Sequence, residues 1–308
     1  MEMTVIRPGA LSTVQDMGRR GHRAVGVPSG GAADAWSLRL ANLMVGNAEN
    51  EAALEMNLSG AELEFSAGIL VAVAGADMGG GFEPGRPRWV GAGERLRFAA
   101  PQSGCRTYLA VAGGFAVPTV LGGKGTDLRA GFGGWHGRAL RAGDVLPINA
   151  CSRKVTGRWR VHPELLPAIP NPATVRMLPG AQQDEFAESW TESEFTVDAR
   201  SDRMGVRLQG PEMKRKHGRE LRSIPVAPGT IQVPPSGRPI VLLADAQTIG
   251  GYPVLGHVIA VDLPLVAQLP PGARVRFVRA TPEEARRSLL KRERALALLV
   301  QGLREKIK

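Results

Sequence analysis

Apolar positions in this chain gather in short runs cut off by Gly and Pro: "TVIR", "ELEF", "GILVAVAG", "RLRFA", "CRTYLAVAG", "VLPI", "TVRML", "TIQVP", "IVLLAD", "HVIAVD" and "RVRFVRA". Runs of this length and punctuation predict β-strands, and their number predicts a mainly β architecture of sandwiches or barrels. Helical spacing is confined to three places. "DAWSLRLANLMVG" (34–46) predicts a helix with Asp34 as N-cap, Leu38, Ala41 and Val45 on one face and Gly46 as its stop. "AQQDEFAES" (181–189) predicts a weaker one. The last stretch opens with Thr281, Pro282 and Glu284, a capping box with proline at the first helical position, and continues as an amphipathic helix over 281–308.

In that last helix Ala285, Leu289, Leu296, Leu299, Leu303 and Ile307 form one stripe, which must cover something apolar. Its own domain, a partner subunit and a membrane surface are the three candidates. Internal echoes suggest a duplication: "AGERLRF" (92–98) returns as "PGARVRF" (271–277), "LSGAELEF" (from 58) as "LQGPEMKR" (from 208), and "VAVAGADMGG" (from 71) as "VLLADAQTIGG" (from 241). The order is kept while the offset grows. The Pro-rich "HPELLPAIPNP" (162–172) lacks both helical and strand signals and marks the expected boundary. The expected organisation is a first β domain over 1–165, a second over 173–280 and a C-terminal helix over 281–308.

Composition narrows the class. With 308 residues and 43% apolar content the chain can fill a sizeable core. The start lacks the basic and apolar sections of a secretory signal, and the longest apolar stretch is well short of the roughly 20 residues that span a bilayer, so a cytoplasmic protein without membrane contact is expected. Two cysteines, Cys105 and Cys151, suggest neither a disulfide framework nor a thiolate metal site. The net charge of +10 raises the question of nucleic acid. Its arginines are scattered, however, and aromatics at 5% are too few for a base-stacking platform, so no nucleic-acid partner is expected. The compact basic cluster "KRKHGR" (214–219) reads as a solvated loop or an anion contact.

Between two apolar runs, "RPIVLLA" and "GHVIAV", stands the polar stretch "DAQTIGGYP" (245–253). It is either a tight turn capped by its Asp or the polar edge of a binding cleft, where glycines let a ligand approach backbone N–H groups. If the duplication holds, it corresponds to "GADMGG" in the first half. Several common chemistries lack their parts. "GGKGTD" (122–127) has Gly125 where a P-loop needs Ser or Thr after its Lys, and the Gly-rich stretches do not match dinucleotide spacing. The five His lie far apart, so no metal ligand set is expected, and no G-x-S-x-G elbow occurs.

The blocks "LSTVQDMGRRGHRAVGVPSGGAADAWSLRLANLMVGN", "YLAVAGGFAVPTVLGGKGTDLRAGFGGWHGRALRAGDVLP", "DRMGVRLQG" and "GTIQVPPSGRPIVLLADAQTIGGYPVLGHVIAVDLPLVAQLPPGARVRF" resemble the carboxyltransferase subdomain A and B family, over nearly the whole chain. That family includes the C-type subunit of bacterial 5-oxoprolinase, an antagonist of a sporulation-kinase inhibitor, and the carboxyltransferase module of urea carboxylase. The resemblance implies two cyclophilin-like β-barrel domains with a few helices and a C-terminal amphipathic helix. It also implies partners: a related second subunit of the B type and, in 5-oxoprolinase, a third of the A type. Where the family often has "LGSxSTDLRAGFGG", Gly123 and Gly125 stand in place of hydroxyls.

The activity so implied is that of a subunit of a hetero-oligomeric, ATP-dependent 5-oxoprolinase, opening the 5-oxoproline lactam to glutamate, with ATP and magnesium as co-substrate of the complex. The alternatives are a carboxyltransferase subunit acting on urea or a related amide, with biotin borne elsewhere, and a non-catalytic antagonist of a kinase inhibitor. A small amide substrate is common to the first two, and "DAQTIGGYP" is the expected amide site. Asp245 would accept an amide N–H or act as base, Gln247 would pair with an amide edge, and Thr248 with the Gly250 and Gly251 amides would meet carboxylate or phosphoryl oxygen. Tyr252 would cap the site. Gln232 and Ser236 are further candidate contacts. In the first half the candidates are Gln15, Asp16, Asp127 and Arg129, the last two being equally suited to an ion pair if they share one face of a strand.

Overall fold

The structure is a computed structural model that describes residues 1–83, 85–151, 159–216 and 220–307. Residues 217–219 of the basic cluster 214–219 lie outside the described residues. The chain is mainly β and forms two compact units: Met1–Arg20 with Gly30–Pro167 and Arg294–Lys308, and Gly21–Ser29 with Ala168–Glu293.

The first unit contains β1 (Glu2–Arg7), β2 (Leu11–Gln15), β3 (Ala53–Asn57), β4 (Glu62–Phe65), β5 (Ile69–Gly75), β6 (Arg88–Val90), β7 (Arg95–Arg97), β8 (Arg106–Val111), β9 (Val145–Pro147) and the helix α1 (Ala35–Met44). They form a four-stranded sheet, β7-β4-β1-β9, and a five-stranded sheet, β2-β3-β8-β5-β6. Met3, Val5, Leu63 and Phe65 from the first sheet share one core with Val14, Leu54, Val71 and Leu109 from the second. The continuous apolar runs of β5 and β8 have a plain cause. Val71, Leu109 and Val111 face that core, whereas the alternate residues Leu70, Ala72, Tyr108 and Ala110 face a second one, under α1. Asp34 caps α1 as expected, accepting from the Ser37 N–H at 2.9 Å.

The second unit contains β10 (Ala173–Pro179), β11 (Phe195–Val197), β12 (Gly205–Gln209), β13 (Ile224–Pro225), β14 (Thr230–Gln232), β15 (Ile240–Leu242), β16 (Ile249–Gly250), β17 (Val254–Val258), β18 (Arg274–Arg279) and the short helix α2 (Leu263–Ala267). Seven of these strands close a barrel in the order β10-β17-β14-β15-β12-β11-β18, sealed by the parallel pairing of β18 with β10. Closure leaves no open edge among them. In β18, Val275 and Phe277 point inward while Arg274 and Arg276 point out and meet Glu194, which explains the alternating "RVRF". β13 and β16 stand apart as a two-stranded ribbon.

Helix α3 (Pro282–Leu303) starts with the expected capping box: Thr281 N–H donates to Glu284 at 2.9 Å and Glu284 N–H to the Thr281 hydroxyl at 3.2 Å. Leu296 and Leu303 are buried beside α1 residues in the second core of the first unit, with Leu299 and Ile307 packed against them. The stripe is not covered along its length, since Leu289 is 37% exposed. The helix expected over 181–189 is replaced by two 3-10 turns, Gln183–Glu185 and Glu188–Thr191. A segment this short gains too few hydrogen bonds to offset nucleation of an α-helix. Among the described residues, no helix is long and apolar enough to cross a membrane.

Candidate functional site

The stretch 245–253 leaves the end of β15, forms the ribbon strand β16 and re-enters the barrel as β17. Its first polar residue is fixed from both sides. Asp245 N–H donates to the Arg203 carbonyl at 3.0 Å, and the Asp245 carboxylate accepts from Arg203 Nε at 2.8 Å and from Nη2 at 3.0 Å. Arg203 is buried just before β12 and Asp245 follows β15, so this is a two-pronged ion pair between the segments that flank two paired barrel strands. Both carboxylate oxygens are engaged by the guanidinium, and Asp245 anchors the loop.

Gln247 and Gln232 come together. Gln247 Nε2 donates to Gln232 Oε1 at 3.2 Å, while Gln232, almost fully buried at the end of β14, has an Nε2 with no hydrogen-bond partner. A buried donor left without an acceptor costs about 1–3 kcal/mol. Gly250 lies directly over it: a Cβ there would sit 2.6 Å from Gln232 Nε2. Neither Gly250 nor Gly251 has a positive φ, so neither glycine is needed for an unusual backbone. Gly250 serves close approach. The first-half counterparts differ, because Gly79, Gly80 and Gly81 all have positive φ and Asp77 caps its own turn through the Gly79 N–H.

The remaining residues of the stretch form its rim. The Thr248 carbonyl accepts from Val226 N–H at 3.0 Å, Ile249 pairs with Pro225 in the ribbon, and Tyr252 is 46% exposed. Ser236 is not brought to this group. It lines a cavity to which no residue of 245–253 contributes.

The first-half candidates lie in the other unit. Gln15 is fully buried at the end of β2, donating through Nε2 to the Thr13 hydroxyl and the Thr126 carbonyl, both at 3.1 Å, and its Oε1 has no partner. Asp16 accepts from Gly18 N–H at 2.8 Å and Lys124 N–H at 2.6 Å. Asp127 and Arg129 do not share a strand, as one reading of them assumed. They occupy a turn in which Asp127 Oδ1 accepts from the Arg129 and Ala130 N–H groups, which is how Asp stabilises tight turns. Gly123 and Gly125, the departures from the family pattern, are places of close approach. A Cβ at 125 would lie 2.8 Å from Gln15 Oε1, and one at 123 would lie 2.9 Å from Arg19 Cγ.

A buried network ties β3 and β8 to the residues just before α1. Tyr108 hydroxyl donates to Glu55 Oε2 at 2.6 Å and accepts from Asp34 N–H at 2.8 Å, while Ala33 N–H donates to the same Glu55 oxygen at 3.1 Å. Burial, followed by the charges of Glu55 and Asp34, pushes the Tyr108 hydroxyl well above its ordinary range. Arg203, Arg19 and Glu55 were not among the residues singled out from sequence. An ion pair between positions 203 and 245 leaves no local signal, since the barrel alone brings them together. Buried polar residues inside "LSTVQ" and "ALEMN" also hid β2 and β3 from the apolar pattern.

Comparison with known proteins agrees with this architecture. Residues 25–279 match the model of the carboxyltransferase domain, subdomain A and B. The chain is 42% identical to the C-type subunit of 5-oxoprolinase from Escherichia coli, covering 92% of this chain and 93% of that one. It is 38% identical to the C-type 5-oxoprolinase subunit of Haemophilus influenzae, covering 92% of each. Its fold superposes on the crystal structure of Kluyveromyces lactis urea carboxylase with a TM-score of 0.89 and 29% identity, over 97% of this chain but only 29% of that much longer one. The chain belongs to the carboxyltransferase domain, subdomain A and B, family.

Proposed function

We propose that this chain is a subunit of an ATP-dependent 5-oxoprolinase, which opens the 5-oxoproline lactam to glutamate together with a related B-type and a third, A-type subunit. The observation that carries the reading is the pair Gln232 and Gln247, brought together beneath the 245–253 loop. A lactam holds its amide cis, with N–H and C=O on one edge. An unpaired buried N–H donor from Gln232 and the carbonyl of Gln247 offer the complementary donor and acceptor. The near full-length similarity to two C-type 5-oxoprolinase subunits supports the same reading.

An amide is a poor electrophile, and phosphoryl transfer from ATP supplies what is missing by turning the lactam oxygen into a leaving group. This chain's Gly122–Thr126 stretch does not suit the nucleotide. Lys124 Nζ is paired with Glu51 at 2.6 Å and its N–H is taken by Asp16, so carboxylates occupy the donors that a phosphate would need. In this reading the work of this chain is recognition: Gln232 and Gln247 orient the amide plane, and Arg203 through Asp245 holds the loop.

Purified with its cognate partners, the chain should support glutamate release from 5-oxoproline that depends on ATP. Absence of release at every subunit ratio would remove the reading. A carboxyltransferase acting on urea or a related amide, with biotin on another polypeptide, is the second reading, favoured by the close superposition on urea carboxylase. In that case the assembled activity would be abolished by avidin.

A further inference from the structure

On the second unit, away from the 245–253 loop, β12 and the turn after β14 enclose a cavity of about 210 Å³ whose polar lining is Asp198, Arg200, Arg207, Gln209, Ser236 and Arg238. The single carboxylate is already compensated. Asp198 accepts from Arg200 Nε at 3.0 Å and Nη2 at 2.7 Å, from the Arg200 N–H at 2.8 Å, and from Gln209. Arg207 and Arg238 differ: among the described residues, neither side chain has an ion-pair or hydrogen-bond partner. Arg207 stands in register with Ile240, and the ladder continues one step through Leu208 N–H to the Pro239 carbonyl. Arg238, two residues before Ile240, falls on the same face, diagonal to Arg207.

Two like charges at diagonal positions on one sheet face repel each other, and a fold that gains nothing from them would disperse them. We propose that this cavity is an oxyanion site that takes inorganic phosphate or an equally small tetrahedral oxyanion between the guanidinium groups of Arg207 and Arg238, with the Ser236 hydroxyl as a further donor. Arginine forks match tetrahedral oxyanions with paired N–H donors, and a doubly charged anion relieves the repulsion that a single carboxylate would only halve. The volume falls below the few hundred Å³ typical of organic-ligand pockets, which suits an ion and excludes a nucleoside. The site is independent of the 5-oxoprolinase reading, since it stands on charge and size alone.

The test is titration of the intact protein with phosphate at fixed ionic strength, followed by calorimetry and by phosphorus NMR, with acetate and ADP as comparison ligands. Saturable phosphate binding is expected, weakened at least about tenfold in Arg207→Ala/Arg238→Ala. Acetate and ADP are expected to bind more weakly than phosphate. Without anion the double variant should melt no lower than the parent, because it has lost only a repulsion; should it fail to fold, Arg238→Gln serves in its place with the same expectation for phosphate. Undiminished phosphate affinity in the variant, acetate binding as tightly as phosphate, ADP binding more tightly through the same arginines, or no saturable binding by the parent would each overturn the proposal.

Discussion

Arg203 grips Asp245 with two donors, Nε at 2.8 Å and Nη2 at 3.0 Å, and receives the Asp245 N–H on its own carbonyl. Side chain and backbone thus lock the start of the 245–253 loop to β12. Replacing Arg203 by Ala strands a partly buried carboxylate, a change that typically costs about 3–5 kcal/mol. Denaturant unfolding of Arg203→Ala should show that loss. Removing both charges in Arg203→Met/Asp245→Leu should cost clearly less than Arg203→Ala alone, and a double variant as unstable as the single would mean that the pair is not what holds the loop.

Gly250 tests the amide site without deleting a polar group. A Cβ at this position would intrude to 2.6 Å from Gln232 Nε2, so Gly250→Ala must displace the Gln232 amide. Since Gly250 has an ordinary backbone, the change should leave folding intact while cutting turnover of the assembled complex at least about tenfold, equivalent to about 1.4 kcal/mol of transition-state binding. Gln247→Ala should show a loss of the same order. Gly302→Ala is the matched control, as nothing lies within 4 Å of its Cβ and it sits in helix α3, where Ala is favoured over Gly by about 1 kcal/mol. Equal activity of all three variants would assign the loop to structure.

The strands most easily seen in the sequence were those whose two faces are both apolar, such as β5 and β8, and the helices seen were those with caps, α1 and α3. Strands built from buried polar residues escaped, because Glu55, Thr13 and Gln15 interrupt the continuous apolar run that marks a strand buried on both faces. The run "HVIAVD" was readable only in part: β17 ends at Val258, and Asp262 begins the approach to α2, a five-residue helix with Pro264 in its first turn that is too short to show a period. At the candidate site, the composition of 245–253 pointed to polarity at a strand end. Gln232 was within reach as a polar residue at the end of an apolar run, whereas Arg203, which fixes the loop, is brought to Asp245 by the barrel alone and leaves no trace in local spacing.

Tyr108 is the hinge of a buried network, donating to Glu55 and accepting from Asp34 at the head of α1. Tyr108→Phe keeps the ring and its packing but leaves Asp34 N–H without its acceptor and removes one donor from Glu55. A buried polar group left unmade costs about 1–3 kcal/mol, so the variant should unfold at lower denaturant with an unchanged slope. Hydrogen exchange should locate the loss at the first turn of α1. Unaltered stability would mean that water or a side-chain shift replaces the hydroxyl.

Acid sensitivity has an assignable contributor just before β9. Arg138 donates from Nη1 and Nη2 to the two oxygens of Asp144, each at 2.7 Å, and Arg141 N–H adds a third bond. The guanidinium of Arg138 holds the Asp144 carboxyl down at about 2, against an ordinary 3.8. A carboxyl that releases its proton more readily in the folded chain stabilises it above the unfolded value and loses that contribution as pH falls toward the folded one. Asp144→Asn should therefore be less stable than the parent by about 1 kcal/mol, after allowance for solvent screening, at any pH above roughly 4. The gap should close between pH 4 and pH 2, where the parent protonates Asp144 and the variant has nothing to lose. Paired urea titrations of parent and variant at pH 6, 4 and 2.5 measure it, and a gap that stayed constant across that window would show that the contact acts through packing and not through charge.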